Sequence, residues 1–156
     1  MSKISVDKDG VDYINVYSKG KTHLGRLLSN FSYSPITTED GDFISIEGYW
    51  YWLLTEHAHK DQLRSKFGNE AKELGRQLSG NNWSPIEDSH VFESKIITAL
   101  RIKIQNSEDI KMLLKKNQLP FVHYYVYGSK TKVVSGCEWF LSVFEQIGQD
   151  LKLNNT

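Results

Sequence analysis

Two ionisable residues stand where apolar faces are expected. Glu47 lies in SIEGYWYW (45–52), and at roughly one hundred degrees per residue Trp50, Tyr51 and Leu54 share its face of a helix. A carboxylate walled by rings is desolvated, which raises its pKa and poises it as a general acid or base. The alternative is that Glu47 accepts hydrogen bonds from the 24–35 loop and anchors it. Lys103 falls inside the stripe set by Phe92, Ile96, Ala99 and Leu100. Such a lysine snorkels to water near the helix end, pairs with a phosphate or carboxylate, or serves as a desolvated amine nucleophile of lowered pKa.

Other groups offer weaker chemistry. Lys19, Lys21, His23 and Arg26 border the SNF segment and could cradle a phosphate or simply form a solvated face. Trp50, Trp52, Trp83 and Trp139, with Tyr124, Tyr125 and Tyr127, offer planes for a purine, although most such rings belong to a core. Arg76 follows Gly75 near a helix end, where it either complements the dipole or clamps an anion. His57 and His59 flank Ala58 on different helical faces, so no shared metal is expected. The chain has no GxxxxGK P-loop, GxGxxG fingerprint, HExxH or GxSxG elbow, which removes nucleotide hydrolases and serine hydrolases of those types.

The elements that must position these residues belong to a chain of 156 residues with 39% hydrophobic, 24% charged and 12% aromatic content. One soluble domain accommodates that length and composition. Nineteen basic residues balance nineteen acidic ones, so no global field holds a polyanion and any phosphate must be gripped locally. A lone cysteine, Cys137, excludes an internal disulfide, and MSKISVDKDG lacks the apolar run of a signal peptide, so a cytoplasmic address is expected. The stretch 49–54 is too short to span a bilayer.

The run VDYINVY (11–17) predicts a strand ending in the turn 18–21, followed by an irregular loop over 22–41. A buried helix is expected from Phe43 to about residue 56. Leu63, Phe67, Ala71, Leu74 and Leu78 predict one amphipathic helix over 61–78, stopped by Gly80, Asn81 and Asn82. A third helix starts at Asp88 or Ser89 and runs to Gln105, and Ser107 with Glu108 and Asp109 caps a fourth. After Pro120, FVHYYVY, Gly128-Ser129 and TKVVS read as a hairpin, and a last helix carries Phe140, Val143, Phe144, Ile147 and Leu151. The expected fold class is α+β: a mainly helical single domain with a small antiparallel β-sheet or hairpin, and flexible ends at 1–9 and 152–156.

The order LLSNFSYSPI (27–36), SIEGYWYW (45–52), AKELGR (71–76) and LRIKIQN (100–106) resembles the NADAR, or YbiA-like, family, closest to its short phage-encoded relatives. The resemblance implies an α+β domain that cleaves N-glycosidic bonds at a ribose, here removing ADP-ribose from guanine bases of nucleic acid. It implies Glu47 as the catalytic carboxylate and Lys103 as the catalytic amine. It further implies that Ser29, Asn30 and Phe31 contact substrate, and that Lys21, Arg26, Trp50, Arg76, Asn106 and Tyr127 complete the substrate-binding set. The substrate is then an ADP-ribosylated nucleotide or nucleic acid, no cofactor, metal or membrane is implied, and a phage-encoded chain acts in its bacterial host's cytoplasm. Two departures stand beside the match. Gly48 occupies the position of the family's His, and VHYYVYG replaces the acidic-x-x-Trp-Gly motif. They support an alternative, a catalytically impaired protein that binds ADP-ribose or a related nucleotide signal.

Overall fold

The computed structural model describes residues 4–80 and 84–154. In chain order it runs β1 (Ile14–Asn15), α1 (His23–Leu28), β2 (Ile36–Thr38), β3 (Gly41–Phe43), α2 (Ile46–Trp52) and α3 (Gly68–Ser79). Then follow α4 (Ser89–Gln105), α5 (Glu108–Lys116), β4 (Phe121–Val122), β5 (Tyr124–Tyr127), β6 (Lys130–Val133) and α6 (Glu138–Leu153). The architecture is α+β and mainly helical, as expected, and none of the described helices is long and apolar enough to cross a membrane. The chain divides into two compact units, Met1–Ser29 with Ser107–Thr156, and Asn30–Asn106.

In the first unit the expected long strand over 11–17 shrinks to two residues. The amides of Val11 and Asp12 turn back onto the Lys8 carbonyl, so only Ile14 and Asn15 remain to pair, in parallel, with Phe121 and Val122. Asn15 is buried, and its side chain extends the pairing by donating to the Tyr124 carbonyl (3.1 Å) and accepting from the Tyr124 amide (3.0 Å). The expected loop after residue 22 begins instead with α1. Thr22 caps it by accepting from the Gly25 amide, Leu24 and Leu28 bury one face, and a Cβ at Gly25 would lie 2.2 Å from the Asn15 carbonyl oxygen. The β5–β6 hairpin forms with Gly128 at φ +60°, as its turn residues predict. Ser107 caps α5, and α5 packs on α6, whose Phe140, Val143, Phe144 and Ile147 are buried.

In the second unit the remainder of the expected loop contributes the antiparallel hairpin β2–β3, turned at Gly41 with φ +105°. The expected helix from Phe43 begins only at Ile46, because Phe43 pairs with Ile36 in the hairpin and Ser45 caps α2 by accepting from the Gly48 amide (3.0 Å). It closes at Trp52. The single helix expected over 61–78 is two pieces, a 3-10 turn over Lys60–Ser65 and then α3. Tertiary contacts interrupt it: Ser45 Oγ donates to the Lys66 carbonyl (2.8 Å), and Gly68, at φ +59°, donates its amide to the Phe31 carbonyl (3.0 Å). Phe67 therefore leaves the apolar stripe and is 47% exposed. Helix α4 matches its expected bounds, capped by Asp88, and packs on α2 and β2. Asn81, Asn82 and Trp83 lie outside the described residues.

Candidate active site

Glu47 sits in the first turn of α2, and its backbone amide donates to the Asn30 carbonyl (3.0 Å). The next carbonyl, of Phe31, is held by Gly68 at the start of α3. Asn30 and Phe31 are thus fixed through main-chain bonds, and the main chain of Glu47 performs the anchoring for which its carboxylate was one candidate. Glu47 is half-buried as a residue, and protein surrounds its carboxylate. Desolvation raises its pKa to about 7, against the opposing fields of Lys72 and, more weakly, Arg76 on α3. Near neutrality its charged and protonated forms are both populated.

Lys72 and Arg76 are four apart on α3 and present one face of that helix. Lys72 also lies over the Phe31 ring, 5.9 Å from its centroid, and Arg76 donates a hydrogen bond to the Tyr51 hydroxyl. Tyr51 is buried one turn beyond Glu47; burial foremost, and the Glu47 charge next, raise its pKa. The ring rests flat on α3, since a Cβ at Gly75 would come within 2.1 Å of Tyr51 Cγ. This gives the Gly75-Arg76 pair a physical sense: the glycine admits the ring and the arginine meets its hydroxyl. Glu47, Tyr51, Lys72, Arg76 and Phe31 therefore form one constellation. Lys72 is the member sequence reasoning missed, although its spacing of four from Arg76 within AKELGR was a usable signal.

Lys103 lies on the buried face of α4 and is 2% exposed. Burial lowers its pKa to about 7, so snorkelling, the common outcome for such a lysine, does not occur. Trp50 meets Phe92 of α4 edge to face, with centroids 4.9 Å apart. Asn106 caps the end of α4 and, with Ile36, Asp42, Phe43 and Ile102, lines a cavity of about 530 Å³.

Ser29, Arg26, Lys21 and Tyr127 belong to the first unit. Ser29 is buried at the end of α1, Arg26 is exposed and donates to the Gly20 carbonyl (2.8 Å), and the Lys21 amide donates to Asp9 (2.8 Å). Tyr127, at the end of β5, is 58% exposed. His57 and His59 stand just after α2, with the His59 amide donating to His57 Nδ1 (3.1 Å); the described residues hold no group of three or more metal-ligating side chains.

These helices and short strands, in this order, define an α+β fold of the YbiA type. The solved structure of the E. coli protein YbiA aligns with 98% of this chain and 98% of its own, at a TM-score of 0.63 and 17% sequence identity. The likeness inferred from motif order is thereby shown in the fold. No family model matches the sequence, and no curated protein matches it.

Proposed function

We propose that this chain is a NADAR-family N-glycosidic hydrolase that removes ADP-ribose from guanine bases of nucleic acid. The observation that carries the reading is a glutamate poised near neutrality in the field of two cations, on a residue whose backbone amide holds the Asn30 carbonyl. Breaking the ribose C1–N bond sends its electron pair to the guanine nitrogen and leaves positive charge on C1 and the ring oxygen. An ionised Glu47 stabilises that oxocarbenium, takes a proton from the water that adds to C1 and passes it to the guanine nitrogen, which releases ADP-ribose and unmodified guanine and restores the carboxylate. When the departing nitrogen is exocyclic, the ribose ring can open to an iminium, onto which the neutral amine of Lys103 exchanges as a Schiff base before water regenerates it. The positive charges of Lys72 and Arg76 suit an anionic substrate such as a pyrophosphate. The proposed setting is the cytoplasm, that of the bacterial host for a phage-encoded chain.

Replacing Glu47 by Gln is expected to leave ADP-ribose affinity within a few-fold, measured by calorimetry, and to abolish release of ADP-ribose from a modified oligonucleotide, measured by chromatography. Unchanged turnover in Glu47→Gln overturns the assignment. One observation favours a second reading, binding without cleavage. A Cβ at Gly48 would lie 2.6 Å from the Leu63 carbonyl oxygen, so the position that carries His in the family admits no side chain here. Tight binding of ADP-ribose with no product from the wild-type protein selects this alternative.

A further inference from the structure

Beside the Glu47 constellation lies a pair of exposed rings that the proposed hydrolysis does not use. Tyr33 and Phe67 are 61% and 47% exposed and meet edge to face, with centroids 5.6 Å apart and planes at 71°. They come from different segments, yet both are tied to the candidate site. Tyr33 follows Phe31 by two residues, and Phe67 precedes Gly68, whose amide holds the Phe31 carbonyl.

Phe67 also occupies the N-cap position of α3 with no side-chain cap. Phenylalanine is a poor residue there, where Ser, Thr, Asp or Asn would satisfy an orphan amide. The position thus lacks a capping hydrogen bond and carries a ring at the surface. Positive charge flanks the pair: Lys66 adjoins Phe67, and Lys72 lies over the neighbouring Phe31 ring. Lys66 has an ion pair to Glu70 (3.6 Å), but that carboxylate is 77% exposed and a solvated pair of this kind exchanges cheaply for a phosphate. Exposed rings bordered by cations are the combination that holds single strands, with bases stacking on the rings and phosphates meeting the cations.

We propose that Tyr33 and Phe67 form a stacking platform for a base adjoining the modified guanine, so that the partner of this surface is single-stranded nucleic acid. The proposal rests on the reading of the neighbouring site as one for a modified base. It makes the rings specificity residues for strand context, outside the chemical step.

The test measures fluorescence anisotropy of short, labelled, unmodified single strands, one of DNA and one of RNA, with the full-length protein. The wild type is expected to bind at least one of them, and the Tyr33→Ala, Phe67→Ala double variant to bind it at least about fivefold more weakly. Tyr33→Phe with Phe67→Tyr, which keeps both rings, is expected to restore affinity. This separates stacking from a general loss of structure, which a thermal melt of each variant also checks. Absence of wild-type binding to either strand, or equal binding by the alanine variant, overturns the platform. Release of ADP-ribose from ADP-ribosylated guanosine by the wild type is assayed separately. Strand binding through the rings without that release overturns the hydrolase reading and leaves the platform standing, whereas release without ring-dependent strand binding does the reverse.

Discussion

Glu47 and Lys103 each carry a charge that folding disfavours, and the two penalties fall in opposite pH windows. For Glu47 the folded pKa of about 7 exceeds the ordinary 4.5. The cost of ionising it is therefore absent below about pH 4.5, grows between those values and is complete above about 7. Glu47→Gln should consequently raise Tm at pH 8, by the equivalent of at most about 3 kcal/mol, and the gain should vanish as pH falls to 4.5. For Lys103 the folded pKa of about 7 lies below the ordinary 10.5. Its cost is complete below about 7 and absent above 10.5, so Lys103→Met should stabilise at pH 6 and confer nothing near pH 10.5. Melts across pH check both signs, and a pH-independent difference in either variant contradicts the burial argument. Both residues were legible in the sequence because a single charged residue breaks an apolar period. Lys72 is harder to read, because a lysine on an amphipathic helix breaks no pattern and only its spacing of four from Arg76 marks it before the 30–31 segment and α2 are seen beside it.

At the level of elements, the site depends on backbone groups diverted from helix formation. The carbonyls of Asn30 and Phe31 are taken by Glu47 and Gly68, and that of Lys66 by Ser45. This is why the single helix expected over 61–78 is broken: the apolar spacing is real, but the amides and carbonyls that would continue it have tertiary partners. Caps with a side-chain oxygen, such as Asp88 and Ser107, mark α4 and α5 locally and were readable. Helix α1, only six residues long, has too short a period to announce itself. The closeness of Gly48 to Leu63 makes Gly48→Ala a sensitive probe of this arrangement. The clash is with backbone, so a loss of roughly 1–3 kcal/mol is expected in denaturant melts, whereas Gly80→Ala, where a Cβ meets nothing within 4 Å, should show only the cost of its φ of +63°. Equal losses at the two positions would mean that packing at Gly48 is looser than the contact distance indicates.

The molecule as a whole has no net charge, so its hold on a polyanion must come from a few local cations. If Lys66, Lys72 and Arg76 supply the phosphate contacts, strand affinity should fall with salt at a log–log slope of only about −2; a slope several-fold steeper would point to a basic track elsewhere. Turnover that needs Glu47 ionised and Lys103 neutral should rise with pH through about 7 and level off above it. The broad class, helices with small β pieces, was readable because hairpin turns and amphipathic periods are local signals. The parallel pairing of Ile14 with Phe121 was not, since no local pattern tells a strand which distant segment will complete it. That pairing also bears on synthesis. A nascent chain leaving the ribosome delivers all of Asn30–Asn106 before Phe121 exists, so the stretch with the glutamate and both lysines can condense while Ile14 still waits for its mate. At elongation speeds of about 5–20 residues per second, the amino-terminal segment spends several seconds unmatched in every newly made copy.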